Sequence, residues 1–371
     1  MIWLLTSRWE AGGLERVQLN LSRRFIELGH AVRIVAGRDL GGPGGSREVE
    51  FIARRGAWQL LLRLPWRIRR ERPQVVVTTS NDIAVWVTLW RRLLYPSTAI
   101  VVAQHLSLSG PRRRARGFTR FKLELIRGAM RAMVARSQGL VAVSGALAAD
   151  MADELGLPLA GIRVIHNPLI HTDKVSANLA SQAWPFPDDG VPVFVYAGRL
   201  SAEKRLDLLW EAFQQVRVTH RARLLVLGQG QEGVRVARWI EGSSFQSDCA
   251  LPGRVEDVLP WMVRSTALVL PSDYEGFGNV LVEAMSCGVQ VIATDCPHGP
   301  SEVLGGGQFG QLVPVGDASA LAAAMRNVLD GRLRVEVETL RERSRAFSVD
   351  VACEAYLEVF SSASARLHDQ D

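Results

Sequence analysis

The 371-residue chain has four cysteines, Cys249, Cys287, Cys296 and Cys353, with no Cys-x-x-Cys pair and no histidine beside them. Neither a zinc site nor a disulfide framework is suggested, and reduced, mostly buried thiols are expected. No apolar run approaches the roughly 20 residues needed to span a bilayer. Residues 1–7 lead directly into Arg8 and Glu10 without a cleavage site, so a soluble, cytoplasmic protein is expected. Helix-turn-helix, zinc and RNA-recognition signatures are absent too, which argues against nucleic acid as a partner.

What is present is length, an ordinary apolar fraction of 47% and a lopsided charge. The length exceeds one ordinary core and suits two α/β domains of comparable size. Residues 1–170 hold 26 Lys and Arg against 12 Asp and Glu, a net +14, whereas residues 171–371 hold 18 against 26, a net −8. A basic half joined to an acidic half suggests that the first faces a polyanion. Its arginines concentrate in residues 54–72, among Trp58, Leu60–Leu62, Leu64 and Trp66, and in residues 112–136, among Phe118, Phe121, Leu125 and Ile126. Basic residues flanking an apolar, aromatic face fit a helix in a membrane interface, and equally a solvated helix packed on its own domain. Pro65 and Pro73 weaken any single long helix in the first segment.

Strand and helix patterns alternate as in parallel sheets. Residues 1–5, 31–36, 75–79, 99–103 and 139–144 read as strands of a first domain, with a helix over 14–28. Residues 191–196, 224–227 and 267–270 read as strands of a second, with a helix over 206–216. Residues 162–168 and the polar stretch to about Gly190 read as the linker, and 318–363 as helices.

Residues 268–288, LVLPSDYEGFGNVLVEAMSCG, carry the densest chemistry. A buried strand passes through a Gly-containing loop into a helix, the junction at which α/β proteins bind ligands. Glu275 falls in the loop and Glu283 about one turn into the helix, whose leading N–H groups suit an anion. A glycoside-hydrolase reading would make these two carboxylates acid and nucleophile. Gly12-Gly13 opens the first helix, where glycine lets backbone amides approach a phosphate or sugar closely. Arg199 and Lys204 follow a strand and offer fixed positive charge to a diphosphate. His105 follows the strand over 99–103. His166 reads as structural, and His298 as lining the loop at best.

These stretches closely resemble glycosyltransferase family 4, retaining enzymes of the GT-B fold. The resemblance runs from Gly12 to about Leu304. It rests on GGLERV with LGHAV, on Gly198-Arg199-Leu200-x-x-x-Lys204, on Pro-Ser-x-x-Glu-Gly-Phe-Gly with Val-Glu-Ala-Met-x-x-Gly, and on CPHGPSEVL at 296–304. It implies an α/β GT-B fold, two Rossmann-like domains facing each other across a cleft. An acceptor domain would span 1–170 and a nucleotide-sugar domain 171–350, with residues 351–371 forming a helix that crosses back to the first.

The resemblance also assigns roles. Arg199, Lys204, Gly12 and Gly13 would bind the donor diphosphate, and Gly276, Phe277 and Gly278 the sugar. Glu283 would bind the ribose, and Arg254 and Val255 the nucleobase. His105 and Glu275 would be catalytic. No cofactor and no metal are expected: no Asp-x-Asp motif precedes the donor loop, and Arg199 with Lys204 supplies the charge a metal would otherwise bring.

The 296–304 element resembles bacterial members that build lipid-linked or surface glycans. The implied reaction moves a hexose or N-acetylhexosamine, with retention, from a UDP-sugar to a glycan or lipid-linked acceptor. GDP-mannose as donor, and a noncatalytic nucleotide-sugar-binding subunit, remain alternatives. The basic half suggests an acceptor on a phosphorylated lipid, with peripheral contact at the inner face of the cytoplasmic membrane.

Overall fold

Every apolar run read as a strand pairs in a parallel sheet, as expected where helices cover both faces and leave no polar face to solvent. The computed structural model describes residues 1–10, 12–41, 48–52, 57–110, 116–169, 184–332 and 334–368. Arg54 and Arg55, residues 112–115 and most of the proposed linker, 170–183, lie outside them. The chain divides into unit 1, Met1–Leu169 with Val349–Asp371, and unit 2, Ile170–Ser348.

Unit 1 is built on seven strands: β1 (Ile2–Trp9), β2 (Val32–Asp39), β3 (Val49–Phe51), β4 (Val75–Thr78), β5 (Ala99–Gln104), β6 (Gly139–Ala142) and β7 (Arg163–Val164), in spatial order β3-β2-β1-β4-β5-β6-β7. Ile2 pairs in register with Val32 on one side and Val75 on the other. Its helices are α1 (Gly13–Glu27), α2 (Ala57–Glu71), α3 (Asn81–Leu94), α4 (Gly117–Val134), α5 (Gly145–Leu155) and, after the return of the chain, α11 (Val349–His368). Phe25 of α1 is fully buried against Phe360 of α11, ring centroids 5.7 Å apart. Arg24 Nε meets Asp350 Oδ1 at 2.6 Å on the same seam.

Two expectations are corrected in unit 1. Residues 162–168 do not act as a linker: β7 pairs with β6, and the carbonyl of Pro168 accepts from Asn20 Nδ2 at 2.9 Å. Pro65 does not interrupt its helix, since α2 runs through it. Proline cannot donate to the carbonyl four residues earlier. That carbonyl belongs to Leu61, and the indole nitrogen of Trp86 on α3 donates to it at 2.7 Å instead. Pro73 does mark the end of α2, after Arg72 at φ +47°.

Unit 2 carries β8 (Val193–Ala197), β9 (Arg223–Leu227), β10 (Cys249–Gly253), β11 (Ala267–Leu270), β12 (Gln290–Thr294) and β13 (Gln311–Val313), in spatial order β10-β9-β8-β11-β12-β13. Its helices are α6 (Leu206–Arg217), α7 (Gly233–Glu241), α8 (Asn279–Ser286), α9 (Ala318–Leu329) and α10 (Val337–Arg345). Trp210 and Phe213 of α6 close on Phe245, with centroids 5.6 and 5.7 Å away, to form an aromatic core under the sheet. In both sheets the strand order reverses beside the first strand of the unit. That switch point, at the carboxyl ends of the strands, is where open α/β sheets leave a crevice for ligands.

Candidate active site

The switch point of unit 2 lies between β8 and β11, which pair directly. The loop leaving β8 passes Gly198, the exposed Arg199 and a tight turn at Ala202–Lys204 before α6. The loop leaving β11 passes Ser272, Asp273 and Glu275 before α8. Because the two strands are neighbours, their loops touch. Lys204 Nζ meets Glu275 Oε1 at 2.6 Å. Ser272 Oγ donates to the same oxygen at 2.7 Å.

Glu275 is buried, so its charge requires this pairing. Both hydrogen bonds end on Oε1. Among the described residues Oε2 accepts none, and Lys204 keeps two of its three N–H donors, so the pair has valences left for a ligand.

Several groups hold this pair in place. The backbone N–H of Asp273 donates to the carbonyl of Glu203 at 2.8 Å. Arg205 joins α6 at φ +49° and meets Asp273 Oδ1 at 2.9 Å and Asp207 Oδ1 at 3.0 Å. These two carboxylates anchor a non-glycine residue in a conformation that costs about 1 kcal/mol or more. Tyr196, fully buried at the end of β8, donates its hydroxyl proton to the carbonyl of Arg199 at 2.9 Å. Burial, and then the negative charges of Glu275 and Glu203, raise the Tyr196 pKa well above the ordinary phenol value. It remains a neutral donor.

Glycine is required where strand-end loops cross. A Cβ on Gly228 would lie 1.9 Å from the carbonyl oxygen of Gly198, and one on Gly230 would lie 2.2 Å from that of Leu200. Leu200 N donates to Gln229 O at 3.0 Å, and Gly228 N to Gly253 O at 2.8 Å, so the exits of β8, β9 and β10 form one backbone layer. Arg254 and Val255 follow at the edge, Arg254 exposed. Two strand spacings of roughly 4.8 Å put them on the order of 10 Å from β8.

Across β11, Gly278 takes φ +87° to enter α8. The Phe277 side chain is buried against Phe347 at 5.5 Å, so only its backbone is available to a sugar. Gly299, on the loop leaving β12, abuts the backbone of Phe277, where a Cβ would come within 2.4 Å of its carbonyl oxygen. Glu275 N donates to Pro297 O at 3.3 Å from the same loop. Glu283 is half-buried in α8, and its neighbours Leu281, Val282, Ala284 and Met285 are buried.

Unit 1 holds the remaining predicted residues at its own carboxyl edge. Gly12 caps α1 at φ −151°, an extended backbone open to any residue, so conformation does not demand glycine there. Glu15 accepts from Glu10 N at 3.1 Å and ties the loop down. Beside it, the Ser80 hydroxyl after β4 accepts from Ser7 N at 3.0 Å and from Ser7 Oγ at 3.2 Å. His105 is buried just past β5. Burial lowers its pKa to about 4, against a smaller upward effect of a hydrogen bond with Asn167, so the imidazole is neutral at pH 7.

Sequence reasoning missed Asp150 of α5. Its Oδ2 accepts from Leu108 N at 2.7 Å and Ser107 Oγ at 3.2 Å, clamping the loop that leaves His105. It also missed Tyr196, Ser272, Gly228, Gly230 and Gly299. The Gly-x-Gly after β9 signalled Gly228 and Gly230, and the Pro-Ser-x-x-Glu and CPHG elements contained Ser272 and Gly299 without a role being assigned to them.

Two Rossmann-like units with these strand orders define the GT-B class of glycosyltransferase folds. Residues 11–172 match the family described as Glycosyltransferase Family 4, and residues 191–331 match Glycosyl transferases group 1. Both halves of the chain thus match glycosyltransferase family models.

It is 31% identical over 175 residues to an exopolysaccharide phosphotransferase of Streptomyces coelicolor, covering 46% of this chain and 19% of that protein. It is 27% identical over 209 residues to the lipopolysaccharide 1,6-galactosyltransferase of Escherichia coli K12, covering 54% of this chain and 55% of that protein. The chain thus spans between a fifth and about half the length of these curated relatives. The crystal structure of HepE from Anabaena in complex with UDP-glucose shares the fold, with a TM-score of 0.77, 17% identity, and coverage of 98% of this chain and 100% of that one.

Proposed function

We propose that the protein is a retaining glycosyltransferase that moves a hexose or N-acetylhexosamine from a UDP-sugar to a glycan or lipid-linked acceptor of surface polysaccharide synthesis. The observation that carries this reading is the Lys204–Glu275 pair at the β8/β11 switch point, with Arg199 exposed on the same loop. In this reading Arg199 and the free N–H groups of Lys204 hold the diphosphate and stabilise the charge that grows on it as the sugar–oxygen bond breaks. Glu275 Oε2, with the backbone of Gly276, Phe277 and Gly278, takes the sugar hydroxyls. Glu283 takes the ribose, and Arg254 with Val255 the nucleobase edge.

Gly12 and Gly13 complete the diphosphate contacts, and the neutral His105 offers a hydrogen bond to the transferred sugar. The cationic side chains meet the charge requirement of the leaving group, so the reading calls for no metal or cofactor. UDP is favoured as the carrier because HepE, of like fold, is described in complex with UDP-glucose. A glycolipid acceptor is favoured because the Escherichia coli relative is named for lipopolysaccharide. No described helix is long and apolar enough to cross a membrane. We place the protein at the cytoplasmic membrane face as a peripheral enzyme.

The test is a panel of UDP- and GDP-sugars offered without acceptor, scoring binding and slow hydrolysis in the wild type, Glu275→Ala and Arg199→Ala. One UDP-sugar bound by the wild type and lost in both variants supports the reading. Retention of a GDP-sugar alone would replace the donor. Binding without hydrolysis or transfer to any lipid-linked acceptor would favour a noncatalytic subunit.

A further inference from the structure

The arginine-rich segments of unit 1 are helices α2 and α4, and α3 packs against both. Each of the three presents large apolar side chains to solvent at helical spacing. On α2 these are Leu62 and Trp66, on α3 Leu89 and Leu93, and on α4 Phe118, Phe121 and Leu125. The exposures are not marginal: Trp66 is 63% exposed, Leu93 71% and Phe118 81%. A helix that buries its apolar face on its own sheet has no use for a second apolar stripe on the outside. Adjacent stripes of this size mark an interaction surface.

The charge around the stripes selects the partner. Arg63, Arg69, Arg92, Arg120 and Lys122 are exposed and form no ion pair among the described residues. Some arginines elsewhere in unit 1 are paired, as Arg23 is with Glu48 at 2.9 Å, Arg24 with Asp350 at 2.6 Å and Arg33 with Glu71 at 2.6 Å. Helices α2, α3 and α4 together carry ten basic residues against three acidic ones. On α2 a concavity of about 720 Å³ is lined by Leu62, Trp66 and arginines that include Arg63, Arg69 and Arg70. Its apolar wall and cationic rim match an acyl chain beneath a phosphate headgroup.

We infer that the joined outer face of α2, α3 and α4 docks on an anionic phospholipid surface, with the apolar stripes entering the headgroup boundary and the unpaired arginines on the lipid phosphates. The inference deepens the membrane side of the proposed function, and rests on it only for the lipid carried by the acceptor. It adds α3, which has no basic cluster in the sequence, as the centre of the surface.

The test is flotation of the full chain with vesicles of phosphatidylcholine alone or mixed with phosphatidylglycerol, at low and high salt. The variants are Leu89→Gln with Leu93→Gln, Phe118→Ser with Phe121→Ser, and Arg120→Gln with Lys122→Gln. All six positions are exposed, and UDP-sugar binding in each variant serves as the check on folding. The wild type is expected to float with anionic vesicles and to release in salt. Loss of basic residues should weaken partitioning about fivefold for each charge removed. The α3 variant should lose flotation while its donor binding stays intact.

Equal flotation with neutral vesicles, or unchanged flotation in all three variants, overturns the inference. So does a dimer of the wild type that the α3 substitutions dissociate, which would make a second copy the occupant. A protein that floats yet binds no nucleotide-sugar removes the proposed donor site and leaves this surface standing. One that binds donor and never floats does the reverse.

Discussion

Trp86 of α3 donates its indole proton to the carbonyl of Leu61 on α2, the one acceptor in that helix that Pro65 strips of its intrahelical partner. The side chain of one helix thereby repairs the backbone of the next. Trp86→Phe keeps an aromatic ring, though a smaller one, and removes the donor, and should lower the unfolding free energy of unit 1 by about 1 kcal/mol for the lost hydrogen bond. In a Pro65→Ala background an intrahelical N–H becomes available for Leu61, so the same substitution should cost much less. A double-mutant cycle followed by urea denaturation reads the difference, and equal costs in both backgrounds would refute the repair.

Arg199 and Lys204 sit on one loop, Arg199 exposed and Lys204 paired with the buried Glu275 at 2.6 Å. Arg199→Ala should leave stability within roughly 0.5 kcal/mol, as for exposed positions generally, and weaken nucleotide-sugar binding at least tenfold through loss of charge-assisted contacts of about 1.5–3 kcal/mol. Lys204→Ala should lower both binding and stability. It leaves the buried Glu275 with only Ser272, at a cost of about 1–3 kcal/mol once the partial exposure of Lys204 is allowed for. Adding Glu275→Gln should recover stability without recovering binding. Calorimetry on the three proteins decides it.

The glycine at 228 is required sterically, and the one at 233 is not. Gly228→Ala brings Cβ into the carbonyl oxygen of Gly198 and should unfold or rearrange the β8–β9 edge, abolishing donor binding. Gly233→Ala, at the start of α7, meets only Leu200 Cδ1 at 3.5 Å and should be neutral or raise stability by about 0.4–1 kcal/mol. Thermal unfolding of the two variants separates the cases.

His105 titrates near pH 4 in the folded protein, below the ordinary 6.5 of the unfolded chain. The unfolded state therefore binds the extra proton between those values. Stability should fall as pH drops from about 6.5 to 4, by up to about 3 kcal/mol. His105→Gln should flatten that portion of the profile, and ring-carbon NMR shifts should show a neutral imidazole down to pH 5. A charged ring at pH 6 would exclude the neutral hydrogen-bonding role.

Asp150 acts on His105 only through the loop between Ser107 and Ser109. Asp150→Ala should reduce turnover about tenfold or more with little change in donor affinity, since it leaves the proposed donor contacts of Arg199, Lys204 and Glu275 in unit 2 untouched. Asp150→Asn keeps one acceptor oxygen and should restore part of the rate. A rise in KM for the donor equal to the loss in kcat would instead indicate general damage.

The strands were legible because buried parallel strands are simple apolar runs, and residues 267–270 were read to the residue. The path of α2 was not, because the group that rescues Pro65 lies on another helix, and a local window scores only the proline. Lys204 and Glu275 were each recognised at a strand exit, but their 2.6 Å contact depends on β8 lying beside β11, a fact of sheet order. Asp150 carries no motif, since a clamp is defined by what it holds. Residues 162–168 looked like a linker because two strand residues make too short a run to register as β7.

The chain leaves unit 1 after Leu169, builds all of unit 2, and returns at Val349 to place Phe360, itself packed on Tyr356, against Phe25. On the ribosome this imposes an order of events. Unit 2 is contiguous and can fold as soon as it emerges. Unit 1, most of which precedes unit 2, keeps the Phe25 face of α1 bare until α11, Val349–His368, has been translated. A stop codon or proteolytic cut just upstream of Val349 would therefore damage unit 1, most of which is made earlier, and spare unit 2.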